Sequence, residues 1–349
     1  MSEVPEDVEI RTKEMHTGGE PLRVIESGFP SLGGDTILDK IRFIRENFDA
    51  YRKFLMYEPR GHYDMYGALV VPADNKKADI ATIFMHNEGY STMCGHAVIA
   101  LGRYAVDSGL VRNPSSPETV WPSSVRVAIQ CPCGLVEAFV EYENGKTGNV
   151  RFNSVPAFVF ATDVSVDIPE YGNVTVDIVY GGAFYAFVAD AQYNFRLGEV
   201  PIQEVRNAAG ATTDALKKQL KLSHPDSDDL AFLYGTIVTD GQDGQDGSSD
   251  KLSSNVCVFA ERQIDRSPCG SGVTARIARQ YHKGYVGLGQ AKEFLGPSGA
   301  KFTAKAVTEV TYGGFKAVVV EVSGKGHYCG SSTFSLEKDD VIGRGFLLK

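Results

Sequence analysis

Hydrophobic and polar positions along this chain alternate in blocks, and the blocks occur twice. VEIRTKEMHTGGEPLRVIESG, residues 8–28, alternates with a period of two, breaks at Gly18 and Gly19 and resumes, which predicts two strands joined by a turn. The same pattern returns as VTVDIVYGGAFYAFVADA around Gly181 and Gly182. Apolar residues at helical spacing (Ile37, Ile41, Ile44, Phe48, Tyr51) predict a helix from Thr36 to Leu55 with Asp35 as its N-cap, and Val205 to Leu222 is its counterpart. MYGALVVPAD follows the first helix and LYGTIVTDG the second, so that Tyr66-Gly67 echoes Tyr234-Gly235.

Each half then runs a strand into Cys-Gly. IATIFMHNEGYSTMCG places Phe84 ten positions before Cys94, and SSNVCVFAERQIDRSPCG places Phe259 ten before Cys269. A helix is predicted after each cysteine, from Val98, Leu101, Tyr104 and Ala105 in one and Val273, Ile277 and Tyr281 in the other. Gly109 and Gly284 close them, each 15 positions after its cysteine (109 − 94 and 284 − 269). Hairpins are predicted around Gly134 in VRVAIQCPCGLVEAFVEY and around Gly313-Gly314 in the segment after Phe302, and these two are paired as the last repeat. The offset between halves grows on this pairing, from 163 (181 − 18) through 168 (234 − 66) and 175 (269 − 94) to 179 (313 − 134). The expected organisation is a duplicated pair of α/β domains, divided at 172/173, with the terminal segment packing back on the first half. The stretch after Asp240, GQDGQDGSSDKLSS, reads as a mobile surface loop; its aspartates lack the closing glutamate of a calcium loop.

Composition narrows the chemistry. Of 349 residues, 43% are hydrophobic and 23% charged, a globular balance, and the net charge of −9 without a basic run argues against nucleic acid or an anionic membrane as partner. The acidic N-terminus lacks signal-peptide character and no apolar run reaches membrane-spanning length, so a cytoplasmic protein is expected. Six cysteines in such a chain read as free thiols.

Cys94 and Cys269 are the candidates for catalysis. A cysteine at a helix start faces unpaired N–H groups and the positive end of the helix dipole, which favours thiolate. Two such thiols brought to one cleft suit inversion at carbon, one taking a proton from one face while the other returns one to the opposite face. The helix starts also suit a substrate carboxylate, and neither a metal nor an imine cofactor is then required. No Walker loop and no dinucleotide fingerprint is present.

The stretches EPRGHYDMYGA, HNEGYSTMCGHAVIALGR, VDIVYGGAFYAFV and DRSPCGSGVTARIA resemble the proline racemase family, which includes hydroxyproline 2-epimerases and trans-3-hydroxy-L-proline dehydratases. The resemblance spans nearly the whole chain. It implies an α+β fold like that of diaminopimelate epimerase: two pseudo-symmetric halves, each a mostly antiparallel sheet wrapped around a central helix. It implies no cofactor, and proline or a hydroxyproline as substrate. Cys94 and Cys269 match the acid/base pair. Gly95, His96, Gly270 and Ser271 match the carboxylate-holding positions, Asp265 and His96 the groups near the ring nitrogen, and Tyr66 and Phe259 the ring walls. A homodimer is one allowed assembly.

Over its length the chain is most similar to animal trans-3-hydroxy-L-proline dehydratases, which typically carry threonine where Cys269 stands. A threonine hydroxyl is a poor base near neutral pH, whereas a second cysteine is a competent acid on the far face. From the sequence alone, racemisation or epimerisation therefore stands first and dehydration second, with an imino-acid-binding or redox-sensing thiol protein third. Among the remaining candidates, Cys131 and Cys133 read as hairpin packing, Cys257 as core, and Cys329 with His327 as structural rather than metal-binding. His16, His62 and His86 are open between cleft and structural roles.

Overall fold

The computed structural model describes residues 3–111, 123–243 and 252–348. It divides into two compact units: Met1–Thr92, Ala97–Val150 and Lys325–Lys349 form one, and Met93–His96 with Arg151–Gly324 form the other.

In the first unit, β1 (Glu9–Thr17) and β2 (Glu20–Ser27) form the predicted hairpin, with Gly18 and Gly19 both at positive φ. Two helices follow, α1 (Ile37–Asn47) and α2 (Asp49–Met56), where the periodicity suggests one. Phe48 leaves helical geometry at φ −130°, ψ 20°, and Ile44 before it and Phe54 after it both lie in one core cluster. The N-cap is Thr36 instead of Asp35: its hydroxyl accepts the Asp39 N–H while the Asp39 carboxylate accepts the Thr36 N–H, a capping box. Then come β3 (Tyr66–Val71), parallel to β2, β4 (Ile80–His86), antiparallel to β3, and the short β5 (Tyr90–Ser91). Helix α3 (Gly95–Asp107) leads to β6 (Ser124–Cys131), parallel to β4, and β7 (Gly134–Glu143). A turn at Asn144-Gly145, both at positive φ, connects β7 to β8 (Lys146–Asn153).

The second unit repeats this order. It contains β9 (Ala157–Ile168), β10 (Gly172–Tyr180), β11 (Phe184–Ala189), α4 (Ile202–Gln219), β12 (Leu233–Thr239), β13 (Ser253–Phe259), β14 (Gln263–Ile264), α5 (Gly270–His282), β15 (Lys292–Leu295), β16 (Lys301–Tyr312) and β17 (Phe315–Gly324). Its pairings close on themselves in the order β9, β10, β11, β12, β13, β15, β16, β17 and back to β9. Helix α5 packs against β9, β10, β11, β16 and β17 and is buried from Gly270 through Ala278, so it runs inside this barrel. The last strand, β18 (Gly326–Ser335), lies beside β1 in the first unit. There α3 touches it so closely that a Cβ on Gly326 would stand 2.9 Å from the Ala100 Cα.

The pairings correct one sequence equivalence. β6 is parallel to β4 as β15 is parallel to β13, so Cys131-Pro132-Cys133-Gly134 corresponds to Gly296-Pro297-Ser298-Gly299, and Asn144-Gly145 to Gly313-Gly314. The offset falls back to 165 (299 − 134) instead of rising to 179. By the same count β9 and β18 are equivalent closing strands, and each is paired in the unit that the other repeat mostly builds. The central part of the Asp240 loop, residues 244–251, lies outside the described residues.

Candidate active site

Cys269 sits at the N-cap of α5 with φ 66° and ψ 98°, a conformation that costs a non-glycine residue about 1–3 kcal/mol. Local hydrogen bonds hold it there. The Cys269 N–H donates to Ser267 Oγ at 3.0 Å, the Ser267 N–H to Asp265 Oδ1 at 2.8 Å, and Asn255 Nδ2 to the Pro268 carbonyl at 2.9 Å. The Cys269 carbonyl accepts the first helical bond, from Val273, at 2.6 Å.

Cys94 ends the corresponding approach to α3. A Cβ built on Gly95 would lie 2.5 Å from the Gly270 Cα, and one on Gly270 2.6 Å from the Gly95 Cα. Only glycine lets the two chains touch backbone to backbone, so both Cys-Gly helix starts meet within the second unit, which includes Met93–His96. Cys94 and Cys269 are each 5% exposed.

The two sulfurs have different surroundings. Cys94 Sγ lies 3.1 Å from His96 Nδ1, a pairing that favours a thiolate beside an imidazolium. Cys269 Sγ lies 3.8 Å from the Tyr185 hydroxyl and 4.0 Å from Ser271 Oγ, and hydrogen-bonds the Asp265 carboxyl. Burial pushes Asp265 up to about 6, against the opposing pull of the Ser267 and Cys269 hydrogen bonds and of Arg266. Burial, with Cys269 and Cys257 close by, raises the Tyr185 phenol well above its ordinary value and keeps it protonated.

Of the residues singled out in the sequence, Cys94, Gly95, His96, Phe259, Asp265, Cys269, Gly270 and Ser271 all fall in the second unit. Phe259 stacks on Tyr234 at 5.3 Å, and Tyr234 meets Tyr185 edge-on at 5.8 Å. Tyr66 is buried in the first unit, its hydroxyl paired with that of Ser91 and its ring 5.8 Å from His86. His16 and His327 stack at 5.2 Å between β1 and β18, His62 is exposed, and His86 Nδ1 accepts the Gly89 N–H. Cys131 and Cys133 are free thiols at the β6–β7 turn, and burial pushes Cys133 up to about 12, the opposite of a reactive or metal-binding thiol. Cys257 is fully buried in β13 and Cys329 is exposed. Among the described residues no group of three His, Cys, Asp or Glu side chains is placed to hold a metal, and no helix is long and apolar enough to cross a membrane.

Tyr185 is a site residue that sequence reasoning passed over. Its signal was available: counting from the glycine pairs, Tyr185 stands where the first half has Leu22 (185 − 163), a phenol in an otherwise apolar strand.

Two strained or glycine-gated helix starts, each led by a cysteine, thus meet in the second unit. The chain belongs to the proline racemase family, which it matches over residues 13–347. Its relatives comprise isomerases and hydro-lyases. It is 58% identical over 337 residues to the trans-L-3-hydroxyproline dehydratase of Xenopus tropicalis, covering 96% of this chain and 94% of that one. It is 40% identical over 340 residues to the 3-hydroxyproline 2-epimerase of Burkholderia multivorans, covering 97% and 98%. The crystal structure of a hydroxyproline epimerase from Agrobacterium vitis with bound trans-4-hydroxy-L-proline superposes with a TM-score of 0.87 at 25% identity, covering 97% and 96%.

Proposed function

We propose that this enzyme removes water from trans-3-hydroxy-L-proline. The observation that carries the reading is the identity to the frog dehydratase, 58% against 40% to the 2-epimerase. It reverses the order expected from Cys269 alone.

Stereochemistry explains how one thiol suffices. In trans-3-hydroxy-L-proline the carboxylate and the 3-hydroxyl lie on opposite ring faces, so the Cα hydrogen and the hydroxyl share a face. The Cys94 thiolate, paired with His96, takes the Cα proton; the electron pair forms the C2–C3 double bond as the C3–O bond breaks, and the proton leaves with the hydroxyl as water. The enamine then moves its N–H proton to C3 and becomes a cyclic imine. N–H groups of the α3 and α5 starts, at Gly95, His96, Gly270 and Ser271, hold the carboxylate as it gains negative charge. Asp265 and His96 serve the ring nitrogen, and Phe259 flanks the ring.

Cys269 favours a second reading, inversion at C2 of a proline or hydroxyproline, because it offers a thiol where threonine would offer a weaker acid. Incubation of the reduced protein in heavy water separately with L-proline, trans-4-hydroxy-L-proline and trans-3-hydroxy-L-proline, with chiral chromatography and mass detection, separates the two. Loss of water from the 3-hydroxy substrate, giving a borohydride-reducible product, is the expected result. A deuterated C2 epimer without water loss overturns it in favour of inversion.

A further inference from the structure

The duplication makes the two cysteines comparable position by position, and the comparison exposes an asymmetry. After Cys94-Gly95 comes His96; after Cys269-Gly270 comes Ser271. The strand after the first glycine pair carries Leu22, fully buried, where the strand after the second carries Tyr185. One half thus supplies its cysteine with a ring nitrogen, the other with two hydroxyls.

Those hydroxyls are ordered. Tyr185 Oη and Ser271 Oγ are 2.7 Å apart, and Cys269 Sγ lies 3.8 Å from Tyr185 Oη, within reach for an S–H donor. Both oxygens belong to buried residues, and the Tyr185 ring is fixed edge-on against Tyr234. With the Tyr185 O–H turned to Ser271, the remaining Tyr185 lone pair shares the Cys269 S–H with the Asp265 carboxyl. The other groups shown beside Cys269 and Tyr185 are Cys257, from β13, and Asp265, with Arg266 next to it, before α5. His96 is engaged by Cys94 on the facing Cys-Gly turn.

We propose that Tyr185 is a positioning residue which, backed by Ser271 and together with the Asp265 carboxyl, holds the S–H of Cys269 and so keeps Cys269 protonated while Cys94 is the acceptor. Tyr185 itself neither gains nor loses a proton. The inference rests on the proposed reaction only for its direction, in which Cys94 takes the proton first; the state of the Cys269 thiol stands apart from it.

The test uses Tyr185→Phe in the full chain, which keeps the ring and its contact with Tyr234. Cys269 alkylation by iodoacetamide, followed by peptide mass spectrometry as a function of pH, reads its thiol directly and needs no substrate, so it stands apart from the identity of the reaction. Loss of the acceptor is expected to move the Cys269 inflection to lower pH by about one unit while the Cys94 inflection stays put, and to lower kcat about tenfold with KM within twofold. Ser271→Ala frees the Tyr185 O–H to turn to the sulfur and is expected to move the inflection the same way, which serves if the phenylalanine variant does not fold. An unmoved or raised Cys269 inflection overturns the proposal. An inactive wild-type protein with the expected shift would overturn the assigned reaction and leave the proposal standing.

Discussion

At the scale of single residues, the proposed dehydration and its alternative, inversion, differ in what they ask of the second cysteine. Elimination from the 3-hydroxy substrate needs an acid/base only on the face that carries both leaving groups, whereas inversion needs one on each. Cys269→Thr is therefore expected to keep dehydration within about tenfold of wild type and to lower any C2 deuterium inversion by at least about 100-fold. Equal loss of both activities, measured in the same heavy-water assay, would mean that Cys269 assists the departure of the hydroxyl. Asp265 has a separate consequence for stability. Its folded value is raised to about 6, so its contribution is fully present below the ordinary 3.8 and is lost as pH rises through about 6. Asp265→Asn should thus stabilise the protein relative to wild type more at pH 8 than at pH 4.5, by on the order of 1–3 kcal/mol in urea unfolding. Cys94 and Cys269 stood out in the sequence because a duplicated motif puts a cysteine at matched positions twice, whereas His96 and Asp265 were singled out by the family resemblance. Tyr185 carried only the signal of a phenol in an apolar strand; what gives it a place is its distance to Ser271 and Cys269 across 86 and 84 positions of chain.

At the scale of elements, the site depends on the helix starts. Residues 95 and 270 must be glycine, since a Cβ at either would stand 2.5–2.6 Å from the other's backbone. Gly270→Ala is expected to push the two Cys-Gly turns apart, at a cost of about 1–3 kcal/mol from overpacking. Activity should fall by more than about 100-fold with near-native circular dichroism; retained activity would show that the two turns need not touch. The helices themselves were readable from periodicity, and both run 13 residues, Gly95–Asp107 and Gly270–His282. Their neighbours were less so. The Thr36 cap is a local Thr-x-x-Asp pattern that the choice of Asp35 passed over, whereas the break at Phe48, between Ile44 and Phe54 of one core cluster, is not marked by periodicity.

At the scale of the whole molecule, charge is buried where the second unit must hold α5 in place. Arg276 is 0% exposed and meets Asp243 at 2.8 Å, Arg279 bonds both Asp243 and Asp177, and Lys283 reaches Asp177 at 2.7 Å. The two arginines, Arg276 first, hold the Asp243 carboxyl far below the usual carboxylate range against its own burial. A depressed acid stabilises the fold above its ordinary value and loses that contribution as pH falls through its folded value. Asp243→Asn leaves two buried cations short of a partner and is expected to cost about 3–5 kcal/mol at pH 7, with a smaller difference from wild type in strong acid. Urea titrations at pH 7 and pH 3 check this, and a difference that does not narrow in acid would place the contribution elsewhere.

The sequence by itself determined the duplication, the paired Cys-Gly helix starts and the hairpins at Gly18-Gly19 and Gly181-Gly182, because period, turn glycines and caps act over a few residues. Only the tertiary structure decided which hairpins correspond and which strand closes which unit. β9 and β18 find their partners in β10 and β17 and in β1, and such pairings depend on burying a face across a long stretch of chain, which alternation alone leaves unspecified. The inequality of the two thiols was likewise settled in three dimensions: an imidazole beside one and hydroxyls and a carboxyl beside the other are contacts that equal motifs do not reveal.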